Sequence, residues 1–240
     1  MSKLLSELDF ENAAKEIGCE VAAIKAVSEV EAPRGGFLPS GKPTILFEAH
    51  IFSARTGHKY DASHPNISSK KWNKSLYKGG EKEYNRLEQA KALNEIAALE
   101  STSWGKFQIM GFNYSICGWP DVKSFVNDMY ISEGKHLTAF VRFIKYNKLD
   151  QYLISKKWAM FALGYNGKEY KQNKYDEKIA AAYKKYASQN PVIVDTVEEP
   201  IKPVEPVEPV EPTPLVKPEV TKSKSIFELI LDIILGIFKK

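Results

Sequence analysis

Apolar residues recur every three or four positions through most of the first 190 residues, with polar residues between them. This spacing is typical of helices that bury one face against a common core. Asp9 stands where a helix cap is expected, and Gly18 stands where that helix would stop. A second helix is predicted over residues 20–32, where Pro33 closes it, and two more over residues 157–166 and 176–186. Three further helices are predicted from their apolar residues: a long one from Tyr84, Leu87, Leu93 and Ile96, another from Val122, Phe125, Val126 and Met129, and a third from Leu137, Phe140, Val141 and Ile144.

The stretch from Phe37 to Glu48 departs from the helical spacing. It contains the turn signal Pro39-Ser40-Gly41, which is followed by the short apolar run Ile45-Leu46-Phe47. A turn beside such a run predicts a small β-hairpin. We therefore expect a mainly α fold of the α+β type. A chain of 240 residues with 43% hydrophobic residues is long enough to bury one large core.

The composition changes after residue 190. Residues 191–222 contain repeated Val-Glu-Pro units, and proline at every third position favours an extended spacer over a packed domain. The last residues are strongly apolar and end in two lysines. The sequence thus predicts a folded domain over residues 1–190, a Pro- and Glu-rich linker over 191–222 and a short apolar helix over 223–240.

The apolar run from Ser225 to Phe238 carries Glu228 and Asp232 four residues apart, which would give a helix a narrow polar stripe. Such a helix would be about 21 Å long at about 1.5 Å per residue. That is too short for a bilayer core of about 30 Å. Three interpretations of residues 225–240 remain open: contact with a membrane surface, self-association between copies, and docking on the folded domain.

The net charge is uneven along the chain. Residues 191–221 carry −5 and residues 222–240 carry +2, so the total of +4 leaves +7 on residues 1–190. A basic domain is drawn toward an anionic polymer. Because the positive charges are dispersed and no nucleic-acid-binding motif is present, we do not expect nucleic acid as a partner.

Cysteines, histidines and the N-terminus exclude further classes of protein. Cys19 and Cys117 are too few for a disulfide framework. The four histidines show no metal-ligand spacing with them, so we expect no metal and no cofactor. The segment from Met1 to Phe10 lacks the apolar core of a signal peptide, which predicts synthesis without export by that route.

Residues 100–114 combine aromatic, glycine and amide side chains in a mixture that neither a helix stripe nor a strand alternation explains. Trp104 and Phe107 offer faces on which sugar rings stack, and Gln108 and Asn113 offer amides that bond N-acetyl groups. The alternative is a buried turn whose aromatic side chains belong to the core.

The helix predicted over residues 20–32 contains a glutamate in its apolar face. Helical spacing puts Ile24 and Val27 on one face, with Glu31 between them. Glu29 falls on the opposite side and is interpreted as a solvated charge. Burial raises the pKa of a carboxyl group and keeps it protonated near neutral pH, which a general acid for glycosidic cleavage requires. The alternative for Glu31 is a helix-end glutamate that turns toward solvent.

Several sequence blocks, in an order that is kept from about residue 10 to about residue 187, resemble the phage endolysin N-acetylmuramidase family. That family is distantly similar to goose-type lysozymes and soluble lytic transglycosylases. Four blocks carry this resemblance: Val30-Glu31-Ala32, Gly35-Gly36-Phe37-Leu38, Pro43-Thr44-Ile45-Leu46-Phe47-Glu48-Ala49-His50 and Ser103-Trp104-Gly105-Lys106-Phe107-Gln108-Ile109-Met110-Gly111-Phe112-Asn113-Tyr114. The segment Ala162-Leu163-Gly164-Tyr165-Asn166-Gly167 resembles the late Tyr-Asn motif of the wider superfamily.

The resemblance implies a lysozyme-like fold and cleavage of the bond after N-acetylmuramic acid in peptidoglycan. It also implies that Glu31 is the catalytic acid, which protonates the glycosidic oxygen while positive charge builds on the sugar. The doubled glutamate at 29 and 31 leaves the register ambiguous, and the helical spacing favours Glu31. Glu48 is the candidate for a second carboxylate, with a structural glutamate that holds the hairpin as its alternative. Glu100 is a weaker candidate.

The predicted partner is the glycan strand of peptidoglycan, which would be reached from the host cytoplasm after another protein has permeabilised the membrane. Three alternatives stay open: a lytic transglycosylase that gives an anhydro product, a non-catalytic wall-binding module, and a virion component anchored by its tail. The predicted substrate-binding residues are Trp104, Phe107, Gln108, Asn113, Tyr165 and Asn166.

Overall fold

The computed structural model describes residues 3–31 and 35–189, with only the backbone described for Glu31, Lys168 and Glu169. The predicted linker over 191–222 and the predicted helix over 223–240 lie outside the described residues. None of the helices in the described ranges combines the length and the apolar character that crossing a bilayer requires.

Most of the described chain is helical, as the apolar spacing predicts. The α-helices are α1 (Glu7–Ile17), α2 (Val21–Glu31), α3 (Ala49–Arg55), α4 (Lys82–Leu93), α5 (Glu95–Glu100), α6 (Val122–Met129), α7 (Glu133–Tyr146), α8 (Asp150–Ile154), α9 (Trp158–Asn166) and α10 (Tyr175–Gln189). Single 3-10 turns span Lys74–Leu76, Gly111–Asn113 and Lys168–Lys171.

A small antiparallel sheet completes the described fold. Its strands are β1 (Ile45–Phe47), β2 (Thr102–Trp104) and β3 (Ile109–Met110), in the order β1-β2-β3. The register places Ser103 opposite Leu46 on one side and opposite Met110 on the other. The predicted turn near Pro39 forms with a single bridge between Phe37 and Pro43, but the apolar run of β1 pairs with β2. The mainly α fold with a little sheet is therefore confirmed.

Two predicted helix boundaries were wrong for identifiable reasons. Ser6, and not Asp9, caps α1, and Asp9 bonds back to the backbone of Ser6 in a capping box. The long helix predicted through Tyr84 and Ile96 is broken at Asn94, whose extended backbone ends α4 and whose side chain caps α5. The left-handed Gly18 ends α1 as expected.

Helix α2 lies at the centre of the core. It packs against α1 and α10, and α1 also contacts α7. Ile24 and Val27 on α2 are fully buried, as helical spacing predicts. Helix α2 is thus packed against the first and the last helices of the described chain.

Candidate active site

Glu31 is the last residue of α2, and its side chain lies outside the described part of the chain. Glu29, two positions earlier, is exposed and faces α10. Its carboxylate lies 2.7 Å from Nζ of Lys185 and accepts a 2.5 Å hydrogen bond from the hydroxyl of Tyr186. These two partners, Lys185 first, lower the pKa of Glu29 below its usual range. Glu29 is therefore ionised at neutral pH and is unsuited to donate a proton.

Glu48 is a buried carboxylate with polar partners from two segments. It stands between β1 and α3 and is 3% exposed. The hydroxyl of Tyr77 donates a 2.5 Å hydrogen bond to Oε2 of Glu48, and Nδ1 of His50 lies 3.3 Å from the same oxygen. Burial, and then the charge of Glu48, raise the pKa of Tyr77 far above its usual range, so the phenol stays a donor.

The last residue of β1, Phe47, precedes Glu48 and is held by a buried ion pair on α4. Oε2 of Glu83 accepts from the backbone N–H of Phe47 at 3.3 Å, and Nη1 of Arg86 donates to the backbone oxygen of Phe47 at 2.9 Å. The two side chains pair at 2.8 Å. Both backbone groups of Phe47 are thus bonded to α4, which fixes the position from which Glu48 projects.

Glu83, Arg86 and Tyr77 are not predicted by any pattern in the sequence. An Arg three residues after a Glu on a helix usually forms a surface pair, so the spacing gives no sign that these side chains are buried. Tyr77 lies 29 positions from Glu48, and no local pattern connects the two. In the structure, Tyr77 directly follows the Lys74–Leu76 turn.

The predicted stacking residues Trp104 and Phe107 lie in the core. Trp104 is 1% exposed, and its indole N–H donates to the backbone oxygen of Leu99 at 3.2 Å. Phe107 is 3% exposed and stacks on Phe140 with ring centroids 4.6 Å apart. Their described role is to pack the β2–β3 hairpin, and contact with sugar stays a prediction for both.

Gln108 uses its amide to hold the hairpin together. Its oxygen accepts from the hydroxyl of Ser103 at 2.8 Å, and its nitrogen donates to the backbone oxygens of Gly105 at 2.8 Å and Thr44 at 3.1 Å. The backbone of Gln108 has a φ of 51°, which is uncommon outside glycine. These bonds tie the hairpin to the segment before β1.

The remaining three predicted residues are buried in two separate parts of the fold. Asn113 is buried in the 3-10 turn after β3. Tyr165 and Asn166 are buried at the end of α9, where the ring of Tyr165 contacts Phe140 edge-on at 5.3 Å. Their contact with substrate stays a prediction. The weaker candidate Glu100 forms an ion pair with Arg55.

An open depression lies where α9 and α10 begin, and none of the predicted site residues lines it. The depression is lined by Lys157, Trp158, Ala159, Met160, Asp176, Glu177 and Ala180.

The described residues include no group of three or more His, Cys, Asp or Glu side chains placed to hold a metal ion.

Comparisons with known proteins confirm the resemblance carried by the sequence blocks. The sequence profile of the N-acetylmuramidase family matches residues 20–187, a span that includes Glu31, Glu48 and Tyr165-Asn166. The fold is similar to the crystal structure of the Burkholderia AP3 phage endolysin, with a TM-score of 0.74 and 42% sequence identity, over 79% of this chain and 73% of that one. No curated protein matches. The chain therefore belongs to the N-acetylmuramidase family, and it is a lysozyme-type glycoside hydrolase that degrades peptidoglycan.

Proposed function

We propose that this enzyme cleaves the bond between N-acetylmuramic acid and N-acetylglucosamine, with Glu31 as the general acid. The observation that carries the assignment is the position of Glu29. Of the two glutamates at the end of α2, Glu29 is bound to Lys185 and Tyr186 on α10, and its pKa is lowered. Glu31 follows the buried Val27 by one helical turn, which supports a desolvated carboxyl group.

In the proposed mechanism, Glu31 donates its proton to the glycosidic oxygen while the bond to the muramic acid carbon breaks. The positive charge that builds on that sugar is stabilised by a carboxylate, and a water molecule then bonds to the muramic acid carbon and gives up a proton, which restores Glu31. Glu48 is our candidate for this second carboxylate, and it acts through its electric field. Two features support a field effect over direct attack: Glu48 is buried, and its Oε2 already accepts the hydrogen bond from Tyr77.

We propose that the enzyme works as an endolysin that reaches the wall of the host from the cytoplasm. The family match and the phage endolysin with 42% identity support this use. Residues 225–240, which lie outside the described residues, are proposed to contact the membrane surface. Their apolar residues and terminal lysines support an interfacial position.

Mass spectrometry of digested peptidoglycan tests the reaction. We expect products with N-acetylmuramic acid at a new reducing end, formed by the wild type and by Glu29→Gln but not by Glu31→Gln. An anhydro-muramic end would contradict hydrolysis, and a new reducing end on N-acetylglucosamine would contradict the assigned bond. Since glutamine keeps the shape of glutamate, the variant pair isolates the proton donor.

A further inference from the structure

We propose that His136 and Glu133, in the first two turns of α7, are positioning residues of this enzyme. Together they hold the segment that follows Glu31 against the turn of the β2–β3 hairpin. Neither side chain contacts the sugar in this role. The inference rests on the proposed function in one respect, since it takes Glu31 as the acid whose placement is being set.

The ring of His136 joins two parts of the fold through backbone hydrogen bonds. The backbone N–H of Lys106, in the hairpin turn, donates to Nδ1 at 3.0 Å. Nε2 lies 2.7 Å from the backbone oxygen of Met129, which can only accept. Both partners therefore require a neutral ring with its proton on Nε2. Burial lowers the pKa of His136, and this favours the same neutral form.

Two glycines from different segments of the chain leave room for this ring. A Cβ atom on Gly36 would lie 2.5 Å from Nδ1 of His136, and one on Gly105 would lie 2.6 Å from Cγ of the same ring. Both distances are shorter than side chains tolerate. The Phe37 ring adds a contact with centroids 5.0 Å apart. The imidazole thus fills the space between the segment after α2 and the hairpin turn.

The side chain of Glu133 holds the same segment by binding the backbone of that segment. Its buried carboxylate accepts from the N–H of Gly36 at 2.6 Å and from the N–H of Leu5 at 3.3 Å. Thr44 adds two bonds, from its hydroxyl to the oxygen of Gly35 at 3.1 Å and from its N–H to the oxygen of Gly36 at 2.8 Å. Gly36 is therefore held through both its N–H and its carbonyl group.

The anchored segment begins four residues after Glu31. Gly36 is five residues from Glu31 in sequence, so the anchored segment lies within a short reach of chain from the end of α2. The ring of His136 also holds the turn of the β2–β3 hairpin through the backbone N–H of Lys106, and this hairpin carries Gln108. His136 and Glu133 therefore set the position of the proposed acid relative to the hairpin, and displacements of about 1 Å can cost about 100-fold in rate.

The test compares three variants of the full-length protein on α7. His136→Leu removes both ring hydrogen bonds, His136→Asn keeps an acceptor near the position of Nδ1, and Ile144→Ala destabilises the same helix two turns further on. Thermal melts establish that each is folded at the assay temperature. We expect His136→Leu to lower kcat by about tenfold or more with KM within about twofold, and His136→Asn to recover part of the loss. Ile144→Ala should keep kcat within about twofold.

Two results would overturn the proposal. The first is a kcat of folded His136→Leu that matches that of Ile144→Ala, because the loss would then reflect stability alone. The second comes from nitrogen NMR of the wild type at neutral pH, which does not depend on a variant that folds. We expect an unprotonated Nδ1, and a protonated Nδ1 would exclude the bond from Lys106.

Different results would overturn the positioning role of His136 and the assignment of Glu31 as the acid. A Glu31→Gln variant with full activity would overturn the acid assignment, whatever His136→Leu does. A normal kcat in His136→Leu, with Glu31→Gln inactive, would overturn only the positioning role.

Discussion

The hydroxyl of Tyr77, which is half-buried, lies 2.5 Å from Oε2 of the buried Glu48, although 29 positions separate the two residues in sequence. When a buried carboxylate loses its hydrogen-bond donor, its desolvation is no longer compensated and the folded state is destabilised. The raised pKa of Tyr77 keeps the phenolic proton available for this bond. Tyr77 therefore stabilises the buried carboxylate of Glu48 next to β1, where His50 is its second polar neighbour.

Tyr77→Phe should lower the free energy of unfolding by about 1.5–3 kcal/mol, because it removes a hydrogen bond to a charged group. Tyr60→Phe is the matched control, since the hydroxyl of Tyr60 donates to a neutral backbone oxygen, that of Leu93, at 3.2 Å. Its loss should be smaller, about 0.5–1.5 kcal/mol. Urea unfolding of both variants measures the difference. Equal losses would mean that Glu48 does not depend on Tyr77.

Glu31→Gln should reduce lysis of purified walls by orders of magnitude while the fold is kept, because it removes the proposed proton donor. Glu29→Gln should be nearly silent in the same turbidity assay. Its ion pair with Lys185 is exposed, so the free energy of unfolding should change by no more than about 1 kcal/mol. Loss of lysis in Glu29→Gln with full lysis in Glu31→Gln would show that the register is wrong.

The lowered pKa of His136 predicts that the protein loses stability in mild acid. Between the lowered folded pKa and the ordinary value of about 6.5, the unfolded chain binds a proton that the native state does not. Stability should therefore fall as pH drops below about 6.5, by up to about 1.4 kcal/mol per pH unit from this group. Glu133 and Lys106 also act on the ring, in opposite directions.

Urea unfolding between pH 7.5 and pH 5 measures this dependence. The comparison that isolates His136 is the wild type against His136→Asn, since the other titrating groups are shared. The variant should lose less stability over this interval than the wild type. Parallel curves would show that His136 takes up its proton equally well in the folded state.

Gln108→Ala should destabilise the fold, because the amide of Gln108 bonds Ser103, Gly105 and Thr44. We expect the free energy of unfolding to fall by about 1–3 kcal/mol, as is usual when buried partners are left unsatisfied. Thermal and urea unfolding measure this loss, and glycan binding at a temperature where the variant is folded tests the predicted contact with substrate. An unchanged melting curve with weak binding would favour a role in binding alone.

Features that repeat along the chain were predictable from sequence. The stripes of α6 and α7, the stop at Gly18 and the burial of Ile24 and Val27 follow from helical spacing. The break of the helix at Asn94 was not predictable, because Leu93 and Ile96 keep the helical period on both sides of it. The short helices α3 and α8 were also missed, since one or two turns carry too little periodic signal.

The contacts that build the site could not be predicted in the same way. Tyr77 reaches Glu48 and His136 reaches Lys106 across distant parts of the chain, and each contact depends on how complete elements pack. His136 is one of the four histidines without metal-ligand spacing, and no sequence pattern indicates that its ring bonds two backbone groups. The sequence blocks located the region of the site, while the partners within it required the fold.

Removal of the residues after Gln189 should leave activity on isolated peptidoglycan nearly unchanged. The family match ends at residue 187, and α10 ends at Gln189, so the truncated chain keeps every residue proposed for catalysis and binding. Release of soluble fragments from purified walls, compared at equal concentrations, measures this. A large loss would mean that the C-terminal part contributes to substrate binding or to the fold.

The same truncation should abolish binding to anionic lipid vesicles. Residues 225–240 hold the apolar run and the two terminal lysines, whose attraction to anionic headgroups is screened by salt. The full-length protein should therefore sediment with vesicles, less so at high salt, and the truncated one should not. Lys239→Gln combined with Lys240→Gln should weaken binding but keep the salt-independent part, since the apolar residues remain. Equal sedimentation of both chains would contradict membrane contact, and oligomers that disappear on truncation would favour self-association in its place.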